Sequence, residues 1–414
     1  MKITRKQLMR DRRALLDEIA ALQGENLRLR AGELPAPPAP DTPEEEAVAR
    51  PGAFSRFPLL RAVDEKYENA AFDETEQAKP LPQVAEHLRR FAAAHFGLYA
   101  DRPLFACFLG AMAASDFLLL RSEDSQLGPL TLCRAVAAAW GQDIEITPVQ
   151  PTWSSPADLL GGPGPDARRY HETDLLRAVY EAGYSQGVCF TVLEGVAAAP
   201  PHCLSDLLPL LSLSHNSANF ARSITLAETA WPGDPLLLQN GALPWPGNLW
   251  LAGTLPPGEA PSSQLRGAAM EFCLPARQGA RAFLTPLENP APLPARQLRD
   301  LFAHAREVYA LPEETLRLYA LAEQHLAENM DLSLGAGAQV QLRAFGSVCL
   351  ACGLRPVEAL DGFFYHKALR RLDCADPGTL KYELPGLRRF LAETFGRRAL
   401  PLTMAMLEGM GTPL

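Results

Sequence analysis

A three-layer α/β domain, with a parallel sheet covered by helices on both faces and an all-helical region after it, is the fold class this sequence predicts. Three observations carry that prediction. Short apolar runs at 117–120, 144–149, 188–193, 249–253 and 270–274 alternate with helical spacing at 132–140, 173–182 and 203–211. Past about residue 294 only helical spacing remains. The 414 residues, 47% hydrophobic and 21% charged, suit a soluble globular chain with a large core.

The elements follow in order. Residues 3–31 read as one helix, in which Leu8, Leu15, Leu22 and Leu29 recur every seven positions and Ile19 and Asn26 precede the last two leucines by three. That spacing is a leucine-zipper seam, and the Asn26 amide at an a-type position favours one paired register. Arg5 and Arg12 at the earlier a positions weaken its start. A coiled coil, formed with itself or with a partner, is expected rather than a helix docked on its own protein. A zipper that reads DNA is disfavoured, because the basic residues from Lys2 to Arg13 overlap the seam instead of preceding it as a free arm. Residues 32–52 turn to proline, alanine and acid, with Pro35, Pro37, Pro38 and Pro40, and read as a semi-extended linker. The α/β domain is assigned to 53–290. It opens with helices at 84–94 and 104–114 and carries a β-hairpin insertion at 223–228 and 236–238, ahead of its fourth core strand. A helical lid domain is assigned to 291–414, with helices at 295–308, 313–329, 340–352, 356–372 and 386–395.

Charge and composition exclude several classes. The net charge of −9 argues against a generic nucleic-acid binder. No apolar run of about eighteen residues predicts a transmembrane helix, and the charged N-terminus lacks a signal-peptide core. Eight cysteines in so long a chain do not suggest a disulfide framework, so a cytoplasmic setting is expected. Cys349 and Cys352 have CxxC spacing, but neither a second CxxC nor a pair of His ligands completes a zinc site, and His366 and Cys374 are irregularly placed. Buried helix cysteines are the better reading. His171, His202 and His215 accompany no nucleophile elbow or metalloprotease motif. Trp153, Trp231, Trp245 and Trp250 lie beside prolines or strand ends, where packing explains them better than base stacking.

The stretch FLLLRSEDSQLGPLTL at 117–132 is a strand, loop and helix start, the arrangement of a phosphate-binding loop. Such a loop needs glycines to turn its N–H groups toward the anion and a lysine to neutralise the β/γ-phosphates. The chain has six lysines, and none lies between Lys79 and Lys367. Arginine is not equivalent there, being larger and differently hydrated. The loop keeps Gly128 alone, follows it with Pro129, which has no N–H, and carries Glu123 and Asp124, which would repel a triphosphate. A second acidic site, CFTVLEG at 189–195, retains Glu194 where Mg²⁺ would be held through water, but has Gly195 where a second acid would polarise the attacking water.

Several segments resemble the McrB/MoxR-like branch of AAA+ ATPases, the motor-subunit type of modification-dependent restriction systems. They are PVQPTWSSPADLLG at 148–161, RYHETDLLRAVYEA at 169–182, WPGDP at 231–235, LPWPGNLWLAGT at 243–254, and EALD with KALRRL at 358–361 and 367–372. The resemblance covers roughly 84–396 and excludes the zipper and linker. It implies that Ser125, Gly128, Pro129 and Thr131 stand in a lost phosphate loop, whose lysine falls on Gly128 or Pro129. It places the Mg²⁺ carboxylate on Glu194 and the catalytic acid on Gly195, where it is lost. The sensor-1 asparagine, expected after Thr254, is replaced by Leu255, Pro256 and Pro257. The segment QLRGA at 264–268 puts the arginine finger, which acts in trans on a neighbouring subunit's nucleotide, on Arg266; a surface arginine is the alternative.

The expectation is therefore a catalytically inactive pseudo-ATPase with no catalytic residue and no metal site. It would be a structural or regulatory subunit that assembles with itself or with a related active ATPase, and the resemblance adds a nuclease or other effector of a defence complex as a partner. Two alternatives stay open. One is an unorthodox nucleotidase binding ATP or GTP with Mg²⁺, its charge supplied by Arg121, Arg134 or a partner; the other is a zipper-mediated DNA binder.

Overall fold

The computed structural model describes residues 55–68, 79–123, 128–164, 169–212, 222–256, 258–275 and 288–410. The zipper seam from Leu8 to Leu29, the linker, Ser125 and Pro257 lie outside the described residues. Two compact units are formed, one from residues within 1–74, 161–172 and 223–244 and the other from 75–160, 173–222 and 245–414.

Among the described residues nine strands occur in chain order: β1 Phe117–Ser122, β2 Ile144–Pro148, β3 Gly162–Pro163, β4 Tyr170–His171, β5 Cys189–Glu194, β6 Ser223–Thr225, β7 Ala242–Pro244, β8 Leu249–Thr254 and β9 Met270–Leu274. The larger unit holds the expected parallel sheet, with strand order β2-β5-β8-β1-β9. One register row runs Ile146, Val192, Ala252, Leu118 and Met270 across all five strands. β1, β8 and β9 are buried throughout, which is why they read as continuous apolar runs rather than as alternation. Leu118, Val192, Ala252 and Met270 share a core with helices Leu81–Phe96, Arg102–Ala114 and Gly128–Ala139. Helix Asp174–Ala182, whose N-cap Thr173 accepts from Leu176 N–H, packs on β2 and β5. The amino end of the sheet is tied by Asp116, only 4% exposed, which takes Arg222 at 2.7 Å and Arg299 at 2.9 Å.

The helical region begins at Ala295–Val308 and continues through Glu313–Met330, Gly335–Ala351, Pro356–Phe363, Pro377–Phe395 and Pro401–Met410. The stretch expected as one helix over 356–372 changes winding, from α to a π turn at Phe364–Ala368 and then to a 3₁₀ segment at Leu369–Cys374. Every residue from Ala359 to Arg370 is buried, making this the central post of the region. Asp361 accepts from Leu402 and Thr403 N–H at 3.0 and 2.9 Å, and so caps the last helix.

The smaller unit joins helix Pro58–Tyr67 to two short antiparallel pairs, β3 with β4 and β6 with β7. Glu172 caps the helix by accepting from Leu59 and Leu60 N–H, both at 2.8 Å. Arg56 grips Asp234 at 2.7 and 3.1 Å and lies 5.3 Å from the Trp231 ring. The hairpin insertion is present, but its second strand is β7 rather than 236–238. Asn240 and Gly241 both have positive φ, 49° and 78°, and close a tight turn between Gln239 and Ala242 that returns the chain at that point. Among the described residues no helix is long and apolar enough to cross a membrane.

Candidate functional site

In an open parallel sheet, ligands gather beyond the carboxyl ends of the strands where the winding reverses. From β1 the chain crosses β8 and β5 to reach β2, whereas from β8 it passes β1 in the opposite direction to reach β9. The reversal lies at β1 and β8. The crevice is therefore rimmed by Ser122 and Glu123 at the end of β1, Thr254 and Leu255 at the end of β8, and Glu194 and Gly195 at the end of β5.

Gly128 and Pro129 open helix Gly128–Ala139 and are both buried. A Cβ on Gly128 would stand 3.3 Å from Leu274 Cδ1 and 3.4 Å from Ser122, so a lysine side chain there would start against packed neighbours. Pro129 removes one of the N–H groups a helix start offers an anion. Thr131 follows in the same turn, half-buried.

Glu194 ends β5 half-buried, its carbonyl accepting from Val149 N–H at 2.9 Å. Gly195 then adopts φ +70°, and its N–H donates to Thr254 Oγ1 at 2.9 Å. Val196 N–H bonds the Thr254 carbonyl, and Leu255 N–H bonds the Leu120 carbonyl. The polar groups after β5 and β8 thus hold the strand ends to one another. An L-residue at 195 would have to enter the left-handed region, so an acid placed there would be strained.

Tyr365, Arg370 and Asp373 bring polar and charged groups to this rim that sequence reasoning did not assign, while Lys367 reaches the start of β9. Tyr365 Oη and Arg370 Nη2 both donate to Glu123 Oε1, at 2.8 and 3.1 Å. The Arg370 guanidinium lies over the Tyr365 ring at 4.5 Å, and its Nε donates to the Tyr365 carbonyl at 2.9 Å. Arg121 is paired directly with Asp373. Lys367 Nζ donates to the Arg266 and Ala269 carbonyls, both at 2.6 Å, and so caps the carboxyl end of helix Ser263–Ala268. Burial, opposed by Glu271, draws Lys367 down to about 8. Burial likewise pushes the Glu271 carboxyl up, against Arg266 and Lys367. His366 Nδ1 accepts from Cys273 N–H at 3.1 Å, and burial lowers its pKa to about 3, so it is neutral.

Arg266 is 6% exposed; Nη1 donates to the Arg370 carbonyl at 2.6 Å and Nε lies 3.5 Å from Glu271. Acting in trans would require it to give up both contacts. The structure gathers Glu123, Gly128, Pro129, Glu194 and Gly195 around one rim and sets Arg266 behind it, within the packed seam. The signal that could have identified the seam is the pairing of acids at 123 and 373 with arginines at 370 and 121, far apart in sequence and visible only once the strands are placed.

Cys349 and Cys352 are buried free thiols, both raised by burial, Cys352 to about 12. Trp250 is fully buried with Nε1 on the Met112 carbonyl at 3.0 Å, and Trp245 is 7% exposed. Among the described residues no group of three or more His, Cys, Asp or Glu is arranged to hold a metal ion.

No family model and no curated protein sequence matches the chain. Among solved structures it is similar to a candidate ATPase from Cytophaga hutchinsonii, at 10% identity and a TM-score of 0.47, covering 75% of this chain and 88% of that one. It is also similar to NtrX from Brucella abortus, at 12% identity and a TM-score of 0.26, over 79% and 72% of the two chains. Likeness at this level fixes neither family nor activity.

Proposed function

We propose that this chain is a pseudo-ATPase of AAA+-like architecture, a structural or regulatory subunit that neither turns over nor tightly binds nucleotide. The observation that carries the reading is the charge at the end of β1. A triphosphate there would meet Glu123 and a proline, while Arg370 and Arg121 nearby already face Glu123 and Asp373. Gly195 leaves no carboxylate to orient water, and its left-handed backbone disfavours regaining one. Assembly with itself through 3–31, or with a related active ATPase and an effector such as a nuclease, is the role left to such a subunit, and the family resemblance supports it.

Equilibrium binding of labelled ATP with Mg²⁺ to the purified full chain is the direct test. Saturation below about 1 mM, equivalent to roughly −4 kcal/mol, is not expected. Micromolar, magnesium-dependent binding followed by release of ADP would overturn the proposal.

A further inference from the structure

Arg121, Arg266, Lys367 and Arg370 crowd the carboxyl end of β1 and the neighbouring edge strand, and none is more than 8% exposed. Such a cluster attracts oxyanions. The chain answers it with its own carboxylates: Asp373 on Arg121, Glu271 beside Arg266, and Glu123 on Arg370. Glu123 stands apart from the other two, because it comes from the loop after β1 and its side chain is 34% exposed, against 6% for Arg370. Its receptor is also fixed from within. The guanidinium is stacked on Tyr365 and bonded to the Tyr365 carbonyl, so Tyr365 Oη and Arg370 Nη2 remain aimed at one oxygen position whether or not Glu123 fills it.

We propose that Glu123 is a tethered anion: its carboxylate occupies a preformed oxyanion position made by Tyr365 and Arg370, clamps residues 364–374 to the end of β1 without a ligand, and excludes free phosphate-class anions. The proposal deepens the pseudo-ATPase reading and rests on it. Removing the carboxylate leaves a buried arginine facing an open position, which a soluble oxyanion can enter.

The probe is inorganic pyrophosphate, read by calorimetry and by the thermal midpoint of the full chain. Wild type is expected to show no specific response. Glu123→Ala is expected to melt lower, to recover on addition of pyrophosphate, and to bind it at least about tenfold tighter than wild type, a gain lost in Glu123→Ala/Arg370→Gln. Glu123→Ser, which also empties the oxygen position while keeping a small polar side chain, is the variant to read if Glu123→Ala does not fold. A Glu123 variant no more responsive than wild type overturns the tethered anion, as does a double variant that responds equally. Magnesium-dependent ATP binding by wild type would instead sink the pseudo-ATPase reading, so the two failures are distinguishable.

Discussion

His366 has a consequence that a solution measurement can read. Its ring is stacked on Phe272 at 4.3 Å, receives Cys273 N–H and is 1% exposed, so the folded chain cannot easily protonate it. With a folded pKa of about 3 and an unfolded value of ~6.5, the unfolded state binds more protons between these limits, and stability is lost as the pH falls below 6.5. Acidifying from pH 6.5 to 5 should cost about 2 kcal/mol in urea unfolding from this residue, and His366→Gln should flatten that part of the profile. A second residue-scale expectation concerns Gly195. Gly195→Glu would set a second carboxylate beside Glu194 but forces an L-residue to φ +70°. It should destabilise the chain by about 1 kcal/mol and give no gain in phosphate release from ATP.

At the scale of elements, the post from Pro356 to Cys374 sets most of what is unusual here. The post winds three ways in succession, and Tyr365, His366, Lys367 and Arg370 are all buried along it, as are the α-helical residues before them. Lys367 supplies a prediction. Its folded pKa of about 8 lies below the unfolded ~10.4, so between those values the unfolded state binds more protons and stability rises with pH. Glu271, Arg266 and Arg371 are the charges that face it. Thiols such as Cys133, pushed up to about 12, act in the opposite sense, so the quantity to measure is wild type minus Lys367→Met. That difference should grow by about 2–3 kcal/mol from pH 8 to 10. The winding change was illegible in the sequence, because periodicity over 356–372 does not distinguish α from π. The buried strands were legible, since apolar runs bounded by polar loops have few other readings. Helix 203–211 was overextended: Pro209 clashes with the carbonyl four residues back, and the helix starts at Leu208 instead. Pro385 hid the first half of Pro377–Phe395, whose start is marked by Asp376 accepting from Thr379 N–H at 3.0 Å. The Asn-Gly pair at 240–241, both at positive φ, is a turn signal legible in the sequence. At the candidate site, the residue types at 128, 129 and 195 were legible in the sequence, whereas the Glu123–Arg370 pair, 247 residues apart, was not.

For the whole molecule, the expectation is separable assembly and folding. Deleting residues 1–52 should leave the thermal midpoint of the remaining chain nearly unchanged and reduce the number of copies per particle seen in sedimentation equilibrium; an unchanged copy number would remove the zipper from the assembly. The sheet and the helical region belong to one compact unit, and the contact between them is close. A Cβ on Gly110, in helix Arg102–Ala114, would meet the Phe345 carbonyl oxygen of helix Gly335–Ala351 at 2.9 Å. Gly110→Ala should therefore cost about 1–3 kcal/mol by overpacking, measured by chemical denaturation. Two main chains pressed together this closely leave no room for a methyl group between them. As the inactive subunit proposed above, such a chain would bear load instead of generating it, passing a neighbour's stroke onward as a strut does.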